Sequence, residues 1–190
     1  MKSLNKIQKI SKVFKIIFQV IMILTIVMAC YYVFATIIVL ALKDNATFLD
    51  FLKKYVLSQP EEDVKLIVVK MVASAIISIG NAVIFGFTVN YLNSELKDGT
   101  PFTESGAKKL LKLGIRYIYI PIITLIVAAI LAAILSRDDV NINSNLPSLA
   151  YGIILIMLSF VFRYGAELEQ KVKATNQEKE ESSENSDQQV

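Results

Sequence analysis

Along this chain, long stretches free of Asp, Glu, Lys and Arg alternate with shorter polar segments. The apolar runs within them are 16–42, 71–92, 117–135 and 149–162, of 27, 22, 19 and 14 residues. A helix needs about 20 apolar residues to cross a hydrocarbon core of roughly 30 Å, so the first three runs suffice by themselves. The fourth reaches that length if Ser148 caps its start, the Arg163 guanidinium extends to the headgroups, and Tyr164, Gly165 and Ala166 complete the helix. The pattern predicts an all-α, polytopic membrane protein with four transmembrane helices, at about 16–42, 71–92, 117–135 and 149–166.

Composition agrees with that pattern. Of 190 residues 54% are hydrophobic and 19% charged, with mean hydropathy +0.53, well above what a soluble domain needs. The chain has one cysteine, Cys30, and no His or Trp. An internal disulfide is excluded, and no Cys or His cluster points to zinc, haem or iron–sulfur, so no metal and no cofactor is expected. Val27-Met28-Ala29-Cys30 loosely resembles a lipoprotein cleavage box, but the apolar run continues to Leu42, too long for a signal-peptide core. An uncleaved first helix is the expectation.

Charge sets the expected sidedness. Fourteen of the twenty basic residues fall in 1–15, 93–116 and the segment from Arg163 onward, against six in the two remaining loops. Lys and Arg near span ends resist translocation, which predicts both termini in the cytoplasm of a multi-pass cell-membrane protein. The chain then divides into a basic cytoplasmic segment 1–15, a transmembrane domain 16–170 and a tail 171–190. The tail is polar, has an acidic excess and lacks aromatic residues, so it is expected to be disordered.

In 2–15, lysines every three or four residues oppose Leu4, Ile7, Ile10 and Phe14. This fits either a basic amphipathic helix on the inner leaflet or a plain orienting flank, and five lysines are all the orientation rule demands. The first external loop reads as a short interfacial helix bearing Phe48, Phe51, Leu52, Tyr55 and Val56, capped by Asp44, Asn45 or Thr47. Pro60, followed by Glu61, Glu62 and Asp63, reads as the first turn of the second helix.

Small residues recur every four positions in the second span, at Ser74, Ser78, Ala82 and Gly86, and in the third, at Thr124, Ala128 and Ala132. In lipid such stripes let helix backbones approach, either within the chain or at a homo-oligomer seam. Asn81 and Asn90 are expected to face inward, because an unpaired amide is costly in hydrocarbon. Tyr117 and Tyr119 suit the headgroup belt, and Pro121 is expected to bend the third helix.

Two cytoplasmic stretches carry the remaining signal. In LKDGTPFTESGAKKLLKLG, from Leu96 to Gly114, the second helix should end at Lys97 or Asp98 with Gly99 as a left-handed C-cap. Pro101 blocks continuation, Phe102 is placed to anchor the turn, and Thr103 should cap a new helix in which Leu110, Leu111 and Leu113 interleave with Lys108, Lys109 and Lys112. In FVFRYGAELEQ, from Phe160 to Gln170, Arg163 either snorkels or holds an acidic group, with Glu167, Glu95, Asp98 and Glu104 as the candidates. Gly165 would let another backbone approach. Asp98, Gly99, Pro101, Phe102, Arg163, Gly165 and Glu167 together form a candidate partner surface.

The order and spacing of the KDGTPF turn, the basic helix, the GIR segment opening span three and the final F-x-x-G-A-E-L segment resemble the bacterial membrane family catalogued as domain of unknown function 2975. The resemblance covers roughly residues 10 to 170. It implies no known enzyme activity, and it suggests genes lying beside small helix-turn-helix regulators. Family members usually end in an acidic stretch closing with Thr-Val, and 170–175 of this chain departs from that pattern.

No span contains an ionisable group of the kind that intramembrane enzymes and proton-coupled carriers require at depth. The expectation is a non-enzymatic protein with the lipid bilayer as one partner. It would be a small adaptor or sensor presenting a cytoplasmic surface to a protein such as a DNA-binding regulator, without direct nucleic acid binding. The alternative is an accessory or immunity component packed against another membrane protein or transporter.

Overall fold

The computed structural model describes residues 2–45, 47–48, 64–98, 103–135 and 146–187. Four long helices dominate these residues: α1 Lys2–Ala41, α2 Val64–Asp98, α3 Glu104–Leu135 and α4 Leu146–Asp187. All four are long and apolar enough to cross a membrane, which makes this a multi-pass membrane protein. At 1.5 Å per residue α1, with 40 residues, is about 60 Å long.

Local chemistry explains most of the ends. The Asn45 side chain accepts a hydrogen bond from the Phe48 N–H at 3.3 Å, an N-cap at the start of the expected interfacial helix. The rest of that helix, 49–56, lies outside the described residues, as do Pro60 and the acidic turn after it. α2 ends at Asp98. Thr103 caps α3: its hydroxyl accepts from the Gly106 N–H at 2.9 Å, and its carbonyl accepts from Ala107 at 2.9 Å. α4 begins at Leu146, with Pro147 in its first turn where a missing N–H is harmless, so Ser148 lies inside the helix and does not cap it. It then runs through to Asp187, where composition had predicted a disordered tail. Glu, Lys, Gln and Ala in that segment are strong helix formers, and a polar helix needs no buried face to continue one already nucleated.

Packing follows chain order. α1 packs on α2, α2 on α3 and α3 on α4, while α1 and α4 make no backbone contact among the described residues. The result is an open, curled row, unlike a closed four-helix bundle. α1 and α2 meet through Phe18 and Phe85, with ring centroids 6.1 Å apart, and through Gly86, where an added Cβ would lie 3.6 Å from the Met22 sulfur. α2 and α3 are closest at Gly80, where a Cβ would collide with the Thr124 side chain. Further along, Arg116 stacks 3.8 Å over the Phe87 ring and Lys109 donates to Ser94. These pairings set the apolar runs of α2 and α3 side by side.

The third pairing is different. A Cβ on Gly114 would lie 3.0 Å from the Gly152 carbonyl oxygen and 2.8 Å from Ile156 Cγ1, and a Cβ on Gly152 would lie 2.6 Å from Ile118 Cγ1. The α3 and α4 backbones therefore touch at this glycine pair. One consequence is that Leu146 starts beside the middle of α3. The apolar run of α4 lies beside 104–117, the basic half of α3, and its centre is displaced by about 20 Å from the apolar run of α3 at 1.5 Å per residue. The sequence predicted four runs at one level, whereas the structure aligns three and offsets the fourth toward the end of the row bearing the α2–α3 turn, the hairpin end.

This register is testable by crosslinking in membranes, with Cys30 replaced by Ser. Cysteines at Leu111 and Phe160, which line one crevice, should be joined by a short bis-maleimide. The pair Ile126 and Leu158, which would be level if the two runs were aligned, should not be. The reverse result would place α4 about four turns further along α3.

Candidate functional site

The hairpin end brings together two of the stretches singled out in the sequence. Glu104, Ala107, Lys108 and Leu111 of α3 and Ser159, Phe160 and Arg163 of α4 line a small crevice of about 40 Å³. Ser159 and Ala107 are buried at its base. Glu104 accepts from Lys108 at 2.8 Å, one turn along α3, and Arg163 donates to Glu167 at 3.3 Å, one turn along α4. Both pairs are exposed, so each orients side chains more than it stabilises the fold.

Of the predicted partner surface, Arg163 thus takes Glu167 as its ion-pair partner. Glu104 stands close enough for the Arg163 charge to help hold its carboxyl in the ionised form, after the larger effect of Lys108. Asp98 is the last residue of α2, and Gly99, Pro101 and Phe102 lie outside the described residues. Gly165 is partly buried. The close backbone approach between α3 and α4 is at Gly114 and Gly152, neither of which the sequence reading selected.

The predicted packing residues fall into two groups. On α3, Ala128 is 0% exposed, Ala132 is buried and Thr124 meets Gly80. On α2, Ser74, Ser78, Ala82 and Gly86 are only partly buried, while Ala73, Ala75, Gly80, Ile84 and Thr88 are buried. The reason is that α2 sits between two neighbours and contacts both of its sides. Asn81 is partly buried, whereas Asn90 is exposed near the hairpin end, where its amide can be solvated.

Tyr117, read as a headgroup-belt residue, is 8% exposed and belongs to the core with Ile84, Leu110 and Leu113. Its phenol meets Thr88 at 2.9 Å. Thr88 Oγ1 donates to the Ile84 carbonyl at 3.0 Å, so the Tyr117 O–H is the donor between them. No sequence signal distinguishes a belt tyrosine from a core one, because both need an apolar ring environment and one polar partner.

A larger cavity of about 650 Å³ opens above this core. Its floor is α2 and α3, and its walls are α1 and α4, which make no backbone contact among the described residues. Sequence reasoning missed it entirely, since it exists only because the row curls without closing. Among the described residues no three side chains of His, Cys, Asp or Glu come together. No family model, no curated protein and no solved structure matches this chain.

The Thr88–Tyr117 pair makes a specific expectation. Thr88→Val leaves the Tyr117 hydroxyl buried and unpartnered, whereas Tyr117→Phe leaves Thr88 bonded to Ile84. Thr88→Val should therefore cost about 1–3 kcal/mol and Tyr117→Phe about 1 kcal/mol or less. The double variant should be no worse than Thr88→Val alone. Thermal unfolding in detergent reads the order.

Proposed function

We propose that this chain is a small, non-enzymatic membrane adaptor or sensor that presents its hairpin end to a cytoplasmic protein. The observation that carries this reading is the convergence of α3 and α4 at the Glu104, Lys108 and Arg163 crevice. Two stretches about fifty residues apart in sequence form one charged, structured surface there. The basic bias of the segments at that end supports a cytoplasmic location in a cell membrane. The resemblance to domain of unknown function 2975 supports a bacterial setting in which a small DNA-binding regulator is the partner, with nucleic acid contacted through that regulator alone.

A second reading has its own support. The exposed apolar side of α4, with Met157, Phe160, Val161 and Tyr164 on one helical face, suits a helix of another membrane protein, as an accessory or immunity component would supply, or of a second copy.

Topology is checked first. With Cys30 replaced, a cysteine at Ser144 should react with an impermeant maleimide in intact cells and one at Ser105 should not. The partner surface is then read by crosslinked purification from native membranes. Arg163→Glu, which sets a negative charge beside Glu104 and Glu167, should reduce recovery of a soluble partner at least about tenfold, the effect of 1.4 kcal/mol, without changing membrane insertion. Met157→Ser with Val161→Ser should leave that recovery unchanged. If instead the α4 pair releases an integral membrane protein and Arg163→Glu releases nothing, the accessory reading replaces the adaptor.

A further inference from the structure

The cavity of about 650 Å³ lies within the usual size range of small-ligand sites. Phe14 and Phe18 of α1 and Tyr151 and Ile154 of α4 face each other across it. The floor runs along α2 from Asn81 to Leu92, about 16 Å at 1.5 Å per residue, which suits a medium-length acyl chain. Because α1 and α4 make no backbone contact among the described residues, the cavity opens sideways. In a chain of membrane-crossing helices, a sideways opening faces lipid.

The polar groups are unevenly placed. Asn81 stands at the far end of the floor, and the others lie toward the hairpin end. There Ser11 lines the α1 wall, and the Tyr91 hydroxyl is buried without a hydrogen-bond partner among the described residues. Two side chains of opposite charge stand one turn from residues lining this end. Lys15 sits one turn from Ser11 on the same face of α1, and Glu95 one turn from Tyr91 on α2, both partly buried. Partly burying an acid and a base costs solvation, and a group carrying both opposite charges would offset that cost for each of them.

We propose that the groove holds one acyl chain of a phosphatidylethanolamine molecule, its phosphate toward Lys15 and the Tyr91 hydroxyl and its ammonium toward Glu95. The zwitterion satisfies both charges. A phosphatidylglycerol headgroup in the same place would answer Lys15 and leave Glu95 facing negative charge. The site is separate from the charged crevice, and it stands whether or not a cytoplasmic partner binds there.

The absence of tryptophan supplies the test, since any introduced Trp is the sole indole. Phe14→Trp places it on the groove wall, and Ile123→Trp places it on an exposed position of α3 outside the lining. Each full-length variant is reconstituted in phosphatidylglycerol vesicles containing one-fifth phosphatidylethanolamine, with bromine on the acyl chains of one lipid or the other. Brominated phosphatidylethanolamine should quench Phe14→Trp about threefold beyond its mole fraction, the size one charge-assisted hydrogen bond supports at a partly exposed site. It should quench Ile123→Trp in proportion. Adding Glu95→Gln and Tyr91→Phe should abolish the preference while leaving quenching by total lipid intact. Quenching of Phe14→Trp in strict proportion to composition would show only bulk solvation by lipid and overturn the proposal. Shielding of that Trp from both lipids would overturn it too, because protein would then occupy the groove.

Discussion

The contact between Gly114 and Gly152 sets the arrangement of the whole hairpin end. In lipid the apolar faces of two helices gain nothing by hiding from the solvent, so association is decided by how closely the backbones can approach. Two glycines facing each other give α3 and α4 a contact that any side chain would wedge apart. Once that contact is made, the position of α4 along α3 is fixed. It is the glycine pair, and not the alignment of uncharged runs, that puts Arg163 beside Glu104 and lets Leu155 and Phe162 pack on the core of Leu110, Leu113 and Tyr117.

The same contact explains the open groove. α4 is held on α3 at the level where α2 presents Thr88 and Tyr91, so it forms one wall without reaching α1 on the other side. Closing the row would require α4 to leave the glycine contact, or α1 to leave the contact between Phe18 and Phe85. The open geometry therefore follows from which pairs are tight, and the cavity is the space left when three tight pairings are met in series.

Element positions were legible in the sequence because they depend on local signals. Long runs without charge, the Thr103 cap and the end of α2 at Asp98 each involve residues within a turn of one another. Pairings were much less legible. A residue facing lipid and a residue facing another helix are both apolar, so periodicity could not rank Gly80, Gly114 and Gly152 above the small-residue row from Ser74 to Gly86. Tyr117 was misread because a belt tyrosine and a core tyrosine have the same composition around them. The tail after Gln170 is helical as far as Asp187: composition reports whether a segment can fold alone, and this one extends a helix already formed.

Because the helices make backbone contact only with their neighbours in sequence among the described residues, the fold has little long-range closure to achieve. Tertiary contacts of this kind resemble those of repeat proteins, where each unit is stabilised by the one before it, and their low sequence separation favours fast assembly. Each helix can dock on its predecessor as it emerges during synthesis, without waiting for the C-terminus. A break between α3 and α4 would then remove α4 and leave the α1–α2–α3 row standing, so the helix that shapes the hairpin end joins a row already assembled without it.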